Sequence, residues 1–254
     1  MKPKIFISGS SGFIGFHVAK KFLENGIKVH GFDSMNNYYD VSLKKSRLRI
    51  LKRYKNFSFT RGNLENHKIL SRSIIKFRPK IIIHLAAQAG VRFSIKNPES
   101  YLNSNILGTF NILKVAHSIN VRHLIIGSSS SVYGANKKIP FKEIDKTDHQ
   151  VSFYAATKKS TEALAHSYSS LWKLPITMLR FFTVYGPFGR PDMAYFKFTK
   201  KILKGQKIDV YNKGKMYRDY TYVDDIVDGI FKILNKIPKI NSKRKIKNDS
   251  LSPV

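Results

Sequence analysis

The sequence predicts an α/β fold built on a doubly wound parallel sheet, followed by a smaller C-terminal lobe. Short β-branched runs alternate with segments of helical periodicity, and a glycine-rich turn follows the first run. The chain has 254 residues, 42% of them hydrophobic, which is enough to bury one large core. The six predicted strands are Lys4–Ser8, Lys28–Asp33, Phe57–Arg61, Ile81–Leu85, His123–Gly127 and Ile176–Arg180.

Helical periodicity fills the segments between these strands. Apolar residues recur about every four positions in two clear cases, which are Ile14, Val18 and Phe22, and then Leu102, Ile106, Phe110, Leu113 and Ile119. Each helix is therefore predicted to present one apolar face. A strand followed by a helix, repeated along the chain, is typical of a parallel sheet covered on both faces.

The pattern changes from about residue 187 onward. It predicts a helix over 194–204, strands at 208–211 and 218–222, and a second helix over 224–234. We interpret residues 187–234 as a partial lobe combined with core elements that return to the sheet. The last stretch, 235–254, is rich in lysine and has no apolar period, so we expect a basic loop or tail.

Composition excludes several classes of protein. Lys and Arg number 46 against 16 Asp and Glu, but they are spread along the chain, which favours a solvated surface over a nucleic-acid footprint. The absence of cysteine excludes disulfides, thiolate metal sites and a cysteine nucleophile, and we expect no metal. No run approaches the ~18 apolar residues of a membrane span, so we expect a cytoplasmic protein with no membrane partner.

The turn after the first strand has the spacing of a dinucleotide-binding loop. Gly9, Gly12 and Gly15 form a Gly-x-x-Gly-x-x-Gly sequence that runs into a helix beginning near Phe13 and Ile14. Such glycines allow a tight turn and close approach to a pyrophosphate, which the free N–H groups and positive end of the helix stabilise. The context of strand, loop and helix predicts a Rossmann-like domain that binds NAD or NADP.

Asp33 ends the second predicted strand, 18 residues beyond Gly15. A carboxylate there can accept hydrogen bonds from both ribose hydroxyls and would repel a 2′-phosphate, which favours NAD over NADP. The alternative is a carboxylate that only caps its own loop.

Tyr154 and Lys158 lie four residues apart and are predicted to share one face of a helix. A cation beside a phenol stabilises the phenolate, so Lys158 is predicted to lower the pKa of Tyr154 and make it a base near neutral pH. A run of serines follows the fifth strand, where ligands of doubly wound sheets bind. Each feature also has a structural interpretation, as a chance helical pair or as a turn or N-cap.

Together these motifs resemble the extended short-chain dehydrogenase/reductases of the NAD-dependent epimerase/dehydratase type, and among them the epimerases that act on UDP-glucuronate. The similar segments are Gly9–Gly15, Asp33, Asn36–Asp40, His84–Arg92, Asn105–Gly108, Ser128–Gly134, Tyr154–Lys158, Arg180–Pro187, Gly189–Met193 and Arg218–Asp225. Coverage runs from residue 1 to about 235. The resemblance implies that residues 1–186 bind NAD and carry the catalytic helix, whereas 187–234 bind substrate.

The resemblance also implies residue roles. Tyr154 would be the base, Lys158 its partner and a ribose ligand, and Ser129 the hydroxyl beside the base. The other cofactor-binding residues would be Leu85, Ala86, Ala87, Gln88 and Asn105, with Asn63 at the adenine and Arg218 at the UDP phosphates. The implied reaction takes UDP-glucuronate to UDP-galacturonate through a 4-keto sugar, with NAD restored in each cycle. The implied pathway is surface polysaccharide synthesis.

A 4-keto uronic acid is a β-keto acid and loses CO₂ when the breaking C–C bond aligns with the carbonyl π system. An epimerase must therefore hold the carboxylate out of that alignment. Our candidates for this clamp are Ser128, Ser130 and Thr183, with Arg190 as a nearby positive charge. Arg190 as a surface charge and Thr183 as a turn hydroxyl remain open alternatives.

Three other functions remain open on this scaffold. A 4,6-dehydratase of the family needs an acid pair where this chain has Ser130 and Ser131, which disfavours it. A UDP-glucuronate decarboxylase shares the first oxidation, and the Gly189–Met193 segment favours the epimerase over it. A catalytically silent nucleotide-binding protein is disfavoured by the joint presence of Tyr154, Lys158 and Ser129.

Two departures from the family stand out. Asn63 occupies a position where the family usually carries Asp, from which we expect weaker or altered binding of the adenine. Family members also continue past residue 254 with a further core strand, so we expect a shortened lobe, reduced stability and incomplete affinity for the UDP-sugar. The resemblance further implies a homodimer formed through two helices.

Overall fold

A computed structural model describes residues 2–239. Its main sheet has six parallel strands in the order β3-β2-β1-β4-β5-β6. This is the order of a doubly wound dinucleotide-binding sheet, and it confirms the predicted fold class. The strands are β1 Ile5–Ser8, β2 Val29–Asp33, β3 Phe57–Arg61, β4 Ile81–His84, β5 His123–Ser129 and β6 Ile176–Phe181.

Helices cover both faces of this sheet, because successive strand residues point to opposite sides. Ile5 and Ile7 of β1 lie in one core cluster and Phe6 lies in the other. The first cluster joins α1, α2 and α9 to the sheet, and the second joins α3, α6 and α7. The helices are α1 Phe13–Glu24, α2 Val41–Leu51, α3 His67–Phe77, α4 Phe93–Lys96, α5 Pro98–Tyr101, α6 Gly108–Ser118, α7 Phe153–Trp172, α8 Ala194–Leu203 and α9 Val223–Ile233.

One predicted helical face is not buried. A π-helical segment, Leu102–Leu107, precedes α6 and shifts the helical register, and Leu102 and Phe110 are exposed. The buried positions of α6 include Ile112 and Leu113. The expectation that Leu102, Ile106, Phe110, Leu113 and Ile119 share one buried face is therefore wrong, because Leu113 is buried whereas Leu102 and Phe110 form an apolar surface.

The lobe after residue 186 departs from the sequence prediction in one element. No strand forms at Ile208–Tyr211, where the chain is irregular and then turns through Asn212 and Lys213 with φ of 49° and 53°. Val210 is 61% exposed, so this short β-branched run has no neighbour against which to pack. The strand near 218–222 forms as β8, Tyr220–Tyr222, which pairs in parallel with β7, Thr183–Tyr185.

Helix α8 lies at the periphery of the lobe and has no buried residue, whereas α9 buries Val223, Val227 and Ile230 against the sheet. Residues 236–239 have no regular structure. The remainder of the predicted basic tail, 240–254, lies outside the described residues.

Candidate active site

The glycine loop is built by backbone hydrogen bonds from the sheet edge. The Gly9 amide donates to the Phe32 carbonyl at 2.7 Å, and the Gly12 amide donates to the Gly9 carbonyl at 2.9 Å. A Cβ on Gly15 would lie 2.1 Å from the Gly9 carbonyl oxygen, so only glycine allows the helix to begin this close to the loop. Helix α1 then starts at Phe13 without a side-chain cap, which leaves its first N–H groups available to an anion.

Two buried hydroxyls in this loop differ in what they can serve. The Ser10 and Ser11 hydroxyls are buried and have no hydrogen-bond partner among the described residues. Ser10 Oγ lies against Gly31 of β2, so only Ser11 is a candidate for pairing with a ligand. The loop therefore fits a dinucleotide pyrophosphate, which brings acceptor oxygens to a site rich in donors.

Asp33 is buried at the end of β2, and its carboxylate already accepts hydrogen bonds from nearby backbone amides. Its Oδ2 accepts the Ser11 amide at 3.0 Å, and its Oδ1 accepts the Met35 amide at 2.8 Å. The loop-capping interpretation is thus correct for Asp33. It does not exclude the ribose role, because each carboxylate oxygen keeps a second lone pair for a hydroxyl donor.

Asn63 lies beyond β3 on the same edge of the sheet. It lines an open hollow of about 350 Å³ together with Ser34, Gly62 and Asn66. The hollow adjoins Asp33 through Ser34, which is where an adenosine would extend from the glycine loop. This placement is compatible with the predicted adenine contact.

The segment Leu85–Ala87 follows β4 and is held in place through the buried His84, the last residue of that strand. The Ser8 Oγ lies 2.6 Å from His84 Nδ1, and the Thr109 Oγ1 lies 3.0 Å from His84 Nε2. Burial, together with the charge of Lys158, lowers the pKa of His84 to about 3, so its ring is neutral. The Ala86 amide donates to the same Ser8 hydroxyl at 3.3 Å. This anchoring holds Leu85, Ala86 and Ala87 at the sheet edge, and sequence reasoning missed it.

Asn105 anchors the other end of the same segment. The Gln88 amide donates to Asn105 Oδ1 at 2.8 Å, and Asn105 Nδ2 donates to the Gln88 carbonyl at 3.1 Å and to Thr157 Oγ1 at 3.0 Å. The amide of Asn105 is thereby occupied by the protein. Its geometry supports a role in shaping the platform rather than one of direct contact with a cofactor.

Ser129 and Tyr154 meet where β5 and α7 approach each other. Ser129 is the last residue of β5, and its hydroxyl lies near enough to the Tyr154 phenol to lower the pKa of that phenol. The same hydroxyl donates to Ser131 Oγ at 3.1 Å and accepts the Ser131 amide at 3.2 Å. Helix α7 is capped by Ser152, whose hydroxyl accepts the Ala155 amide at 3.1 Å, and Ser94 Oγ accepts the Tyr154 amide at 3.2 Å. These caps fix the first turn of α7 and hence the position of the phenol.

Lys158 follows one turn later and is buried. Its Nζ donates to the Gly127 carbonyl at 2.8 Å and keeps two further N–H groups for other acceptors. Burial lowers the pKa of Lys158 to about 8, and the Glu162 charge opposes that shift. The lysine is therefore poised between its charged and neutral forms near pH 8.

The electrostatics of Tyr154 differ from the sequence prediction. Burial raises the pKa of Tyr154, and the influences that oppose burial are the nearby Ser129 hydroxyl and the positive charge of Arg190. The expectation that Lys158 brings the phenol near neutral pH was wrong for this geometry, because the ammonium is turned to Gly127. Arg190 is the cation that favours the phenolate.

The Ser128 hydroxyl is hydrogen-bonded to Glu162, a residue that sequence reasoning missed. Its hydroxyl donates to Glu162 Oε1 at 2.6 Å, and Arg180 binds the same carboxylate from Nε at 3.0 Å and from Nη2 at 2.9 Å. A hydroxyl that donates to Glu162 cannot donate to a substrate carboxylate at the same time. The structure therefore does not support Ser128 as part of the predicted clamp.

Arg190 lies at the site and is paired there. Its Nε donates to Asp192 Oδ1 at 3.0 Å, its Nη2 donates to Asp192 Oδ2 at 2.5 Å, and the Tyr38 hydroxyl donates to the same Oδ2 at 3.1 Å. Arg190 is only 22% exposed, so the alternative of a free surface charge is wrong. Asp192 and Tyr38 lie in segments on which the family resemblance rests, but the sequence pattern predicted no role for either residue.

The remaining predicted substrate residues are Ser130, Thr183 and Arg218. Ser130 is half-buried in a short 3₁₀ turn, Ser130–Tyr133, directly after Ser129. Thr183 begins β7 and is half-buried, with its amide donating to the Asp219 carbonyl at 3.2 Å. Arg218 is exposed, and its Nη1 donates to the Tyr217 carbonyl at 3.0 Å, so within the described residues no contact joins it to the Tyr154 cluster.

The fold and the site together define a dinucleotide-binding enzyme of the Tyr–Lys–Ser type. A model of the NAD dependent epimerase/dehydratase family matches residues 5–247, and the chain belongs to that family. It is 55% identical to Protein CapI of Staphylococcus aureus, covering 92% of this chain and 70% of CapI. It is 50% identical to a probable UDP-glucuronate 4-epimerase of Rhizobium meliloti (strain 1021), covering 95% of this chain and 70% of that protein.

Solved structures agree with this assignment. The fold superposes on the UDP-glucuronic acid 4-epimerase of Bacillus cereus, crystallised with UDP-glucuronic acid and NAD, with a TM-score of 0.86 and 35% identity. That match covers 91% of this chain and 73% of the other. Over residues 2–239, no helix combines the length and apolar character needed to cross a bilayer.

Proposed function

We propose that this protein is an NAD-dependent isomerase that converts UDP-glucuronate to UDP-galacturonate through a transient 4-keto sugar. The observation that carries this proposal is the arrangement of the Tyr154 phenol, near Ser129 at the end of β5 and within the field of Arg190, on a sheet edge that also carries a dinucleotide loop. When bound, NAD would supply a hydride acceptor and donor at the sugar C4. The relatives named above support the identity of the sugar.

The chain's own residues supply the acid–base steps. Tyr154, as phenolate, takes the proton from the C4 hydroxyl, and Ser129 shares a hydrogen bond with the same oxygen. The Arg190 charge stabilises the phenolate. Once the 4-keto sugar has rotated to present its other face and has been reduced, Tyr154 returns the proton to the C4 alkoxide. The two free N–H groups of Lys158 are available to the cofactor ribose.

We assign the cofactor to the loop Gly9–Gly15, to Asp33 and to the anchored segment Leu85–Gln88. We assign the substrate to residues 187–234 and to the serines after β5. For the uronic acid carboxylate we keep Ser130, Thr183 and Arg190 as the clamp and remove Ser128, since its proton is donated to Glu162. Thr183→Val is expected to raise the yield of 4-keto pentose relative to the epimer, and an unchanged ratio would remove Thr183 from the clamp.

Three accessory features complete the proposal. We propose a cytoplasmic location and a role in surface polysaccharide synthesis, which the similarity to CapI supports. We also propose a homodimer, because the apolar surface on and before α6 exposes Leu102 and Phe110, and the end of α7 exposes Leu171 and Trp172. Light scattering on the purified protein would give twice the chain mass if the dimer forms, and the chain mass if it does not.

The test of the function is a product analysis. Purified protein is incubated with UDP-glucuronate and NAD, beside Tyr154→Phe, and UDP-galacturonate, CO₂ and 4-keto products are resolved. UDP-galacturonate formed only with Tyr154 intact supports the proposal. CO₂ with a 4-keto pentose as the main products would move the assignment to a decarboxylase, and NAD binding without turnover would move it to a binding protein.

A further inference from the structure

We propose that Asp192 and Tyr38 are positioning residues that hold the Arg190 guanidinium in one orientation beside Tyr154, and so limit loss of CO₂ from the 4-keto uronic acid. The inference rests on the proposed function. The roles predicted for Arg190 from the sequence do not include these two partners. Neither side chain is proposed to touch the substrate.

The pairing of Arg190 with Asp192 is bidentate. Nε and Nη2 reach the two carboxylate oxygens at 3.0 and 2.5 Å. Both side chains are about one fifth exposed, so the pair is largely shielded from water. A planar guanidinium bound by two parallel hydrogen bonds has a fixed plane as well as a fixed position.

Tyr38 fixes the carboxylate in turn. Its hydroxyl donates to Asp192 Oδ2 at 3.1 Å, across 154 residues of sequence, and the Arg190 guanidinium lies 5.9 Å from the centre of its ring. The Tyr38 ring packs against Phe93 at 4.9 Å. Gly90 leaves the space for the hydroxyl, since a Cβ there would lie 2.2 Å from it. Arg190 is thus tied to the first half of the chain through Asp192 and Tyr38.

The pairing also limits what Arg190 can do to an anionic substrate. Because Asp192 occupies the side of the guanidinium formed by Nε and Nη2, a sugar carboxylate can meet only the end formed by Nη1 and the second N–H of Nη2, in an orientation that Asp192 sets. Asp192 also offsets much of its charge. Without Asp192 the guanidinium would move together with the substrate carboxylate and would no longer hold that carboxylate in one orientation.

That freedom has a chemical consequence. In the side reaction the C5–C6 bond of the 4-keto uronic acid breaks, its electron pair enters the C4 carbonyl to form an enolate, and CO₂ departs. Water then protonates the enolate at C5. The step needs the C5–C6 bond aligned with the carbonyl π system, so a moving guanidinium increases the time spent in that alignment.

The first test measures the restraint without turnover. The Nε–H of Arg190 is observed by NMR in ¹⁵N-arginine protein, assigned with Arg190→Lys, and its exchange with solvent is measured. Asp192→Asn is expected to speed exchange by tenfold or more, on the scale of losing one charge-assisted hydrogen bond (about 1.5–3 kcal/mol). Asp228→Asn, which removes the exposed partner of Lys21, is the matched control and should leave it unchanged. Equal exchange in wild type and Asp192→Asn would overturn the proposal.

The second test measures the ratio of 4-keto pentose to UDP-galacturonate. Asp192→Asn is expected to raise it by roughly tenfold, and Tyr38→Phe by a smaller factor. Adding Asp192→Asn to Arg190→Ala should change it by less than about twofold, because the aspartate acts through the arginine. Additive effects, or a ratio that neither Asp192→Asn nor Tyr38→Phe moves, would overturn the proposal. Absence of UDP-galacturonate from wild type would instead refute the proposed function, and the exchange measurement would still decide the positioning.

Discussion

The two parts of the chain are held in different ways. In the sheet, central strand residues such as Ile7 and Ile83 are fully buried. The glycine loop Gly9–Gly15 directly follows strand β1. In the lobe after residue 186, α8 buries none of its residues, and Leu203 is 82% exposed. The cofactor side is therefore shaped by core packing, whereas the segment that carries Arg190 is held by polar anchors and by the contact of the Phe188 ring with Phe16.

These anchors come from the first part of the chain. Arg47, fully buried on α2, donates to the Ser11 carbonyl at 2.9 Å and to the Phe188 carbonyl at 2.6 Å. One side chain thus ties the glycine loop to the segment that carries Arg190. His17 adds a second link, with its Nε2 lying 2.8 Å from the Pro187 carbonyl oxygen. Hydrogen bonds from the first part of the chain therefore help to fix the position of the segment that carries Arg190.

The largest expected effect is that of Tyr154→Phe, which removes the acid–base group while keeping the ring. Turnover of UDP-glucuronate should fall by roughly a thousandfold, within the usual range for a general base, while the affinity for NAD changes little. Steady-state rates and calorimetric NAD titration check this. Tyr185→Phe, at an exposed tyrosine, is the control. Full activity of Tyr154→Phe would remove the phenol from the mechanism.

Arg47→Met tests the link between the two parts. It leaves the Ser11 and Phe188 carbonyls without their donor, so the free energy of unfolding should fall by about 2–4 kcal/mol. Amide exchange in the segment 187–192 should also rise. Urea unfolding and hydrogen exchange measure both effects, with the exposed Arg49→Met on the same helix as control. Unchanged exchange in 187–192 would break the comparison, because the segment would then be held by other means.

Gly15→Ala tests the packing of the cofactor side. Its Cβ would lie 2.1 Å from the Gly9 carbonyl oxygen, so the loop must shift, at a cost of about 1–3 kcal/mol in stability. The affinity for NAD should fall with it. Gly229→Ala in α9 is the control, since a Cβ there meets nothing within 4 Å and should stabilise the helix by about 0.5–1 kcal/mol. Wild-type NAD affinity in Gly15→Ala would show that the loop is not close-packed.

The smallest effect is a pH dependence of stability from Lys158. Burial lowers its pKa to about 8 in the folded protein, whereas the unfolded value is about 10.4. Between these values the unfolded chain binds more protons, so the free energy of unfolding contributed by Lys158 rises with pH, by about 1–2 kcal/mol. The difference between wild type and Lys158→Met in urea unfolding, from pH 7.5 to 10, should show this rise. Parallel curves would mean that the lysine is not desolvated.

Local sequence pattern predicted much of this structure and little of its cross-connections. The alternation of β-branched runs gave all six strands of the main sheet to within two residues, and the glycine spacing gave the loop, because both depend on near neighbours. The pairing of Ser128 with Glu162 and of Tyr38 with Asp192 joins residues 34 and 154 apart. No local period encodes such contacts, and so the occupied Ser128 and the restrained Arg190 emerged only from the folded chain.

The central claim is that one active site oxidises and re-reduces the same carbon. The most direct test supplies UDP-glucuronate that carries deuterium at C4, with unlabelled NAD, and follows the label by mass spectrometry and NMR. The expected product is UDP-galacturonate that retains deuterium at C4, with no release of CO₂ beyond a minor fraction. Loss of the deuterium from C4 in the epimer, or a product epimerised at another carbon, would contradict it.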